Sequence, residues 1–301
     1  MKHLTCITLL LMMTSGLLLG QNDPQYSLSS FNRLLYNPAA IAQSEYVDIR
    51  ISAREQWTGF EQAPATQSVS VSNYFRDWRM GLGLSVVNDK LGAENFRNIK
   101  TKYAYHAWLA SDNYLSFGIG AGVMMKSFSS ADLIFDDPTD EHITDGDLFK
   151  AKADFDVGFE WHVKSFFLGA SINHITQSDD NPNILHVPRH QYFYAGVRLI
   201  PNNMMSLQPS LTVLNVENIT SVGGEIMMNY DNTFWLGLGY RNEDAWMLST
   251  KIMLFDNLLA AYAYDIGAGE LRSYREGSHE VMLRFRINKP AKQYRSPRFF
   301  D

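Results

Sequence analysis

The sequence predicts an all-β protein: a single antiparallel transmembrane β-barrel of about fourteen strands, of the outer-membrane type. Three observations carry that reading. Apolar and polar residues alternate with a period of two along most of the chain. The connections between alternating segments switch between very short and long. Beyond the N-terminal leader no stretch approaches the ~18 apolar residues that a membrane helix needs. A membrane-embedded form must then be a closed barrel, which satisfies every backbone polar group in lipid without helices.

Composition bounds the function. The chain has 301 residues, 46% hydrophobic and 19% charged, so it is neither disordered nor of low complexity. A formal net charge of -6 argues against a general nucleic-acid binder. One cysteine excludes a disulfide framework and a cysteine-cluster metal site.

Taken in order, the chain opens with Lys2 and His3, an apolar run from Leu4 to Leu19, and a polar start after Gly20. Residues 1–20 read as a secretory signal peptide, and Cys6 would leave with it. Residues 21–44 precede the first strand and are expected either beneath the barrel or inside its lumen. Residues 45–288 form the barrel. In its first segment Val47, Ile49, Ile51 and Ala53 alternate with Asp48, Arg50, Ser52 and Arg54. The clearest segment sets Phe155, Val157, Phe159, Trp161 and Val163 against Asp154, Asp156, Gly158, Glu160 and His162. Such patterns place one side-chain set on each face of a sheet. Expected strand centres are Ile49, Val71, Leu84, Tyr103, Ile119, Phe159, Ala170, Ala195, Leu211, Ile226, Leu238, Thr250, Ala261 and Leu283. Residues 289–301 form a basic tail with Pro290 and Pro297, which disfavour regular structure.

Short turns are expected at Ser111-Asp112-Asn113, Lys164-Ser165, Pro201-Asn202-Asn203, Asp231-Asn232 and Asp256-Asn257, where Asp and Asn tolerate left-handed backbone. Longer connections are expected at Glu55–Thr66, Asn88–Arg97, Ser127–Lys152, His174–His190 and Asp265–Ser278. Short turns at one rim and long loops at the other describe an outer-membrane barrel, and an even strand number returns both termini to the short-turn, periplasmic rim. Trp108, Tyr114, Tyr230, Phe234, Phe255, Phe166 and Phe167 flank the short turns, as an interfacial aromatic girdle would. A soluble β-sandwich explains the alternation but not the loop asymmetry. The polar face carries Lys100, Lys102, Asp154, Asp156, Glu160, Lys251, Arg284 and Arg286. These either line a porin-like channel or pair with one another and close the lumen.

Several ordered words resemble the PorP/SprF family of outer-membrane proteins that are accessory to type IX secretion and gliding. They are Asp23-Pro24-Gln25-Tyr26-Ser27, Tyr36-Asn37-Pro38-Ala39, Arg54-Glu55-Gln56-Trp57-Thr58-Gly59-Phe60, Ala63-Pro64-Ala65-Thr66-Gln67-Ser68, the run Gly81–Gly92, Tyr103-Ala104-Tyr105-His106, Tyr262-Ala263-Tyr264-Asp265 and Gly277–Leu283. The chain departs from the family pattern at Gln62, where a glycine is usual, and matches poorly over 127–152. The resemblance implies a non-enzymatic barrel that helps to secrete or anchor a surface adhesin through the adhesin's C-terminal domain. It implies partners in a peptidoglycan-associated periplasmic lipoprotein or the secretion motor, and no cofactor. The runner-up is a transport barrel for small or hydrophobic solutes.

Candidate contacts follow. Gln56, Trp57, Gly59 and Phe60 sit in the first outer loop, where the aromatics either anchor a partner or pack over the mouth, with Gly59 allowing a tight bend. Asn88 and Asp89 belong to an expected loop of the same kind. Lys292, Arg295 and Arg298 in the tail suit an acidic periplasmic partner. Asp132, Asp136, Asp137, Asp140, Glu141, Asp145 and Asp147 crowd the longest loop without EF-hand spacing, so a solvated acidic loop is the simpler reading than a calcium site. His174, His186 and His190 would make a metal site only if they converged, and are expected at the surface. Ser278-His279-Glu280 cannot form a triad, because neighbours on a strand point to opposite faces. No catalytic, cofactor or metal-binding residue is assigned.

Overall fold

A computed structural model describes residues 23–42, 44, 46–129, 148–176, 187–217, 219–242, 245–267 and 276–288. The leader, the acidic loop 132–147, His186 and the tail with Lys292, Arg295 and Arg298 lie outside the described residues.

The strands are β1 (Tyr46–Glu55), β2 (Ala65–Phe75), β3 (Met80–Leu91), β4 (Glu94–Ala110), β5 (Asn113–Phe128), β6 (Leu148–Val163), β7 (Phe166–Asn173) and β8 (His190–Val197). They continue with β9 (Leu199–Asn202), β10 (Met205–Val216), β11 (Ile219–Tyr230), β12 (Phe234–Arg241), β13 (Ala245–Phe255), β14 (Leu258–Gly267) and β15 (Ser278–Asn288). Neighbours pair antiparallel in chain order. Two contacts close the ring: β1 with β15 (Ile51 opposite Leu283) and β10 with β11 (Leu211 opposite Gly224). β8 and β9 lie end to end along β10, with Gly196 opposite Ser210 and Leu199 opposite Leu207, and so count as one spanning strand. The register puts Pro209 opposite the break; a proline cannot donate to the ladder. The result is a closed fourteen-strand barrel, and each of the fourteen expected centres falls inside a strand. Among the described residues no helix is long and apolar enough to cross a membrane.

The faces are inverted relative to a water-soluble protein. Phe117, Ile119, Leu238 and Val281 stand outward with more than half their surface exposed, while Asp154, Asp156 and Lys102 are buried. In water each such apolar side chain would forgo about 1.5–3 kcal/mol of burial; against acyl chains it forgoes nothing. The β-sandwich is thereby excluded, since it would turn this apolar face into a core.

Local chemistry explains the turns. Asp231 and Asn232 both take left-handed backbone between β11 and β12, and the Asn232 amide donates to Asn229 Oδ1 at 3.0 Å. Asn202 Oδ1 accepts from the amides of Met204 and Met205 at 2.9 and 2.8 Å. One expected connection is corrected. Asn88–Arg97 is not a long loop: β3 and β4 stay paired to Leu91 opposite Glu94, and Gly92, at φ 58°, makes the turn. β4, β5 and β6 run 17, 16 and 16 residues, beyond the ~9–11 that cross a bilayer. Above the membrane both faces are wet, so polar residues there do not signal a loop. Three girdle positions are also corrected. Tyr230, Phe234 and Phe255 face outward, but Phe167 is buried in the lumen, Tyr114 stacks on His162 at 4.6 Å, and Trp108 packs on Tyr114 from the same face at 5.2 Å. The pleat sends alternate residues inward, whatever their chemistry.

The lumen is filled by the chain's own N-terminal segment. Residues 23–41 descend from the long-loop end to the short-turn end through two single 3-10 turns, Ser29–Phe31 and Arg33–Leu35. The wall is cut away to receive them. A Cβ on Gly118 would lie 2.2 Å from the Ala39 nitrogen, and one on Gly158 2.0 Å from Asn37 Oδ1. Gly118→Leu should therefore displace the plug without unpairing strands. Overpacking of this kind costs about 1–3 kcal/mol, which corresponds to ~10–100-fold faster tryptic cleavage after Arg33 as the plug opens. Mass spectrometry of timed digests, on barrel that still migrates as folded in unheated gels, reads the effect. Unchanged cleavage would place residues 23–41 outside the lumen.

Candidate functional site

The site is the plugged lumen with the outer rim above it. Each strand contributes its polar alternate residues to the lumen, and the plug supplies partners. At the long-loop end the Ser27 amide donates to Glu280 Oε2 (2.7 Å) and the Ser27 hydroxyl to Asp265 (2.6 Å). Arg54 bridges both acids, at 2.7 Å from Asp265 and 3.4 Å from Glu280. Arg241 reaches Gln25 Oε1 at 2.8 Å. Midway, Phe31 lies 3.6 Å under the Lys251 ammonium, a cation–π contact. Arg33 donates to Glu160 at 2.9 Å, and Tyr194 donates to the same carboxylate at 2.8 Å. Lys102 donates to the carbonyls of Leu34 and Leu35. Asn37 bonds Tyr194 Oη at 2.8 Å and the Phe159 carbonyl at 3.1 Å. Ser116 and Ser171 donate to the carbonyls of Ala39 and Tyr36. Small apolar clusters seal the gaps: Leu34 and Ile41 with Ala104, and Tyr36 with Phe167, Tyr192 and Tyr194.

Lumen charges thus pair rather than line an open pore. Lys100 sits 2.7 Å from Asp154 and 2.6 Å from Asp156, and Asp48 takes ion pairs from Arg50 and Arg284. Pairing is required, because an uncompensated buried ion costs several kcal/mol. A cavity of ≈ 120 Å³ remains beside the plug, bordered by Tyr26, Ser210, Thr212, Gly223, Gly224 and Glu225 among others.

At the upper end of the plug Asp23 meets two histidines. His174 Nε2 is 2.9 Å from Asp23 Oδ2, and the Asp23 amide donates to His190 Nε2 at 3.0 Å. Burial opposes the His174 imidazolium, but Asp23 and Asp154 outweigh it and raise its pKa to about 9. Burial opposes the Asp23 carboxylate too, and His174 and His190 overcome it, holding that carboxyl well below the usual range. The expectation of surface histidines is corrected for both, which are buried: His190 shares the lumen face of β8 with Tyr192 and Tyr194, and His174 follows Asn173 at the end of β7 with a left-handed φ of 55°, which breaks the in–out alternation.

The rim residues are partly brought together. Gln56, Gly59 and Phe60 border a shallow groove with Gln62, Pro64 and Lys90, and Phe60 is exposed. Loop 56–64 is held by Thr58, whose amide donates to the Gly277 carbonyl at 2.9 Å, and by the Gly92 amide donating to Gln62 O at 3.1 Å. Trp57 takes a φ of 55° and its amide donates to Ser278 Oγ at 3.2 Å. Asn88 and Asp89 lie on β3 rather than in a loop. Asn88 accepts from Arg97 at 2.9 Å and Asp89 from Thr66 at 2.6 Å. Ser278 and Glu280 face the lumen, whereas His279 faces away and bonds Tyr262 Oη at 2.7 Å.

A plugged, lipid-facing barrel with this N-terminal segment is matched by one family model, the type IX secretion system membrane protein PorP/SprF, over residues 18–285. The chain belongs to the PorP/SprF family. As a PorP/SprF protein it is a membrane component of type IX secretion and resides in the outer membrane. No curated protein matches it. Similar solved structures include the CymD monoaromatic hydrocarbon channel (TM-score 0.52, 10% identity, 88% of this chain and 94% of that one). Others are the Ralstonia pickettii toluene transporter TbuX (0.50, 10%, 85% and 93%) and a Pseudomonas aeruginosa FadL homologue (0.50, 11%, 89% and 95%). At these identities they show the barrel fold alone.

Of the anchoring residues, Asp23, Ser27, Asn37, Arg54, Asp265 and Glu280 lie in the family-like words of the sequence, which gave them no role in a plug, and Arg33 lies in none of those words. Their signal was the polar member of each alternating pair, together with polar residues in the segment before β1. Replacing Arg54 with Met leaves Asp265 and Glu280 buried without their main cation and should cost about 3–5 kcal/mol. Urea unfolding of vesicle-inserted protein, followed by tryptophan fluorescence, measures it. A loss below about 1 kcal/mol, the level of an exposed pair, would mean that water reaches this site.

Proposed function

We propose that this PorP/SprF protein is a non-catalytic scaffold that helps to secrete or anchor a surface adhesin at the outer membrane. The observation that carries the reading is the lumen filled by residues 23–41, tied to the wall by buried ion pairs and hydrogen bonds. A barrel that spends its polar interior on holding its own chain suits a rigid, lipid-anchored platform better than a pore. The partner surfaces are then the two rims. On the outer side the groove at Gln56, Gly59 and Phe60, with Trp57 bracing its loop and Asn88 and Asp89 beneath, receives the adhesin's C-terminal domain. On the periplasmic side Lys292, Arg295 and Arg298 engage an acidic face of a peptidoglycan-associated lipoprotein or of the secretion motor.

A transport role is the second reading, favoured by the cavity beside β10 and β11 and by the channels among the structural neighbours. Planar-bilayer recording separates the two. The full chain should be electrically silent, and the plug-displacing Gly118→Leu variant should open steady channels; steady conductance from the unaltered protein would favour transport.

Deleting residues 289–301 should leave membrane insertion intact and weaken co-purification of the periplasmic partner from detergent-extracted outer membranes, with bound proteins identified by mass spectrometry. Undiminished recovery would remove the tail from the interface.

A further inference from the structure

The group at the top of the plug has a geometry that a hydrogen-bonded clip does not need. One donor atom each from Asp23, His174 and His190 lies within 4.8 Å of the other two. Both imidazoles are oriented from behind: His174 Nδ1 is 2.8 Å from Asp154 Oδ2, and His190 Nδ1 is 3.0 Å from the Pro188 carbonyl. That leaves both Nε2 atoms aimed at Asp23. A carboxylate or carbonyl behind a histidine, fixing its tautomer and its orientation, is the usual support for a metal ligand.

Charge points the same way. Lys100 pairs with Asp154 and Asp156, and the Asp23 carboxylate is met by the His174 ring, whose shared proton a divalent cation would replace. Access exists as well, since Asp23 and His174 border the residual cavity, from which a water can complete a tetrahedral set.

We propose that Asp23, His174 and His190 bind one zinc ion, which clamps the start of the plug to the ends of β7 and β8. Two imidazoles and one carboxylate suit a borderline ion and disfavour calcium or magnesium. Three bonds to zinc form, from Asp23, His174 and His190; the proton shared between His174 and Asp23 leaves to solvent, and the Asp23 amide gives up its hydrogen bond to His190 Nε2. The clamp is structural. It joins residues 151 and 167 positions apart in sequence and would hold the plug from its upper end.

The test uses the full chain in detergent, stripped of metal with a chelator and titrated with zinc by calorimetry at pH 7.5, with cobalt absorption reporting coordination. One zinc per chain should bind, with a tetrahedral cobalt spectrum, and zinc should slow tryptic cleavage after Arg33. Asp23→Asn and His190→Gln should each weaken binding by at least about tenfold, and Asp154→Asn by ~10–100-fold through loss of support for His174. Asp23 lies off the barrel wall, so its variant reports even if a wall substitution fails to fold. His162→Gln, at a histidine that pairs with Glu160 elsewhere in the lumen, should bind zinc as the parent does. Uptake below one zinc per chain, or unchanged affinity in Asp23→Asn, would overturn the assignment.

Discussion

Lipid offers no hydrogen bonds, and the rest of this structure depends on that. A strand in a bilayer must turn its apolar residues outward, so its polar residues are left in a narrow lumen where each charge needs a partner. Here the wall meets that demand in two ways. Some charges pair across neighbouring strands, as Lys100 does with Asp154 and Asp156. Others are completed by the plug, as when Arg33 satisfies Glu160 and Ser27 satisfies Glu280 and Asp265. The N-terminal segment is thus part of the barrel's interior, and its irregular backbone is tolerated because the wall supplies donors and acceptors to it.

The same constraint shapes the division of labour between the two rims. A lumen committed to internal bonding leaves the ends of the barrel as the places where other proteins can be met. β4, β5 and β6 carry the wall beyond the membrane on one side of the mouth. Loop 56–64 is fixed there by main-chain bonds from Thr58 to Gly277 and from Gly92 to Gln62 rather than left free. Pre-ordered loops on a rigid wall lower the entropy lost when a partner binds, which fits a component of a secretion machine better than a diffusion channel.

Much of the fold was legible because a two-residue period is a strong signal when one face touches lipid. From Ile49 to Leu283 the strands announced themselves. Where the signal failed, the cause was physical. Above the bilayer, at Asn88–Arg97, neither face needs to be apolar, so a continuous hairpin looked like a loop. At Phe167 and Tyr114 proximity to a turn suggested an interfacial girdle, but the pleat had already assigned those positions to the lumen. The plug carried no periodicity at all: single 3-10 turns leave no stripe, and the partners of Ser27 stand more than 230 residues away. His174 and His190 lay on either side of a long connection, and only closure of the barrel shows that they face the same buried carboxylate.

The central claim is that the polar interior is completed by residues 23–41. Hydrogen–deuterium exchange of the full chain in lipid nanodiscs tests it most directly. The amides of Ser27, Leu28 and Ala39, which donate to Glu280 and to Asn37 Oδ1, should exchange as slowly as those of the paired strands. Rapid exchange at these three amides, alongside full protection of β1 and β15, would contradict the account.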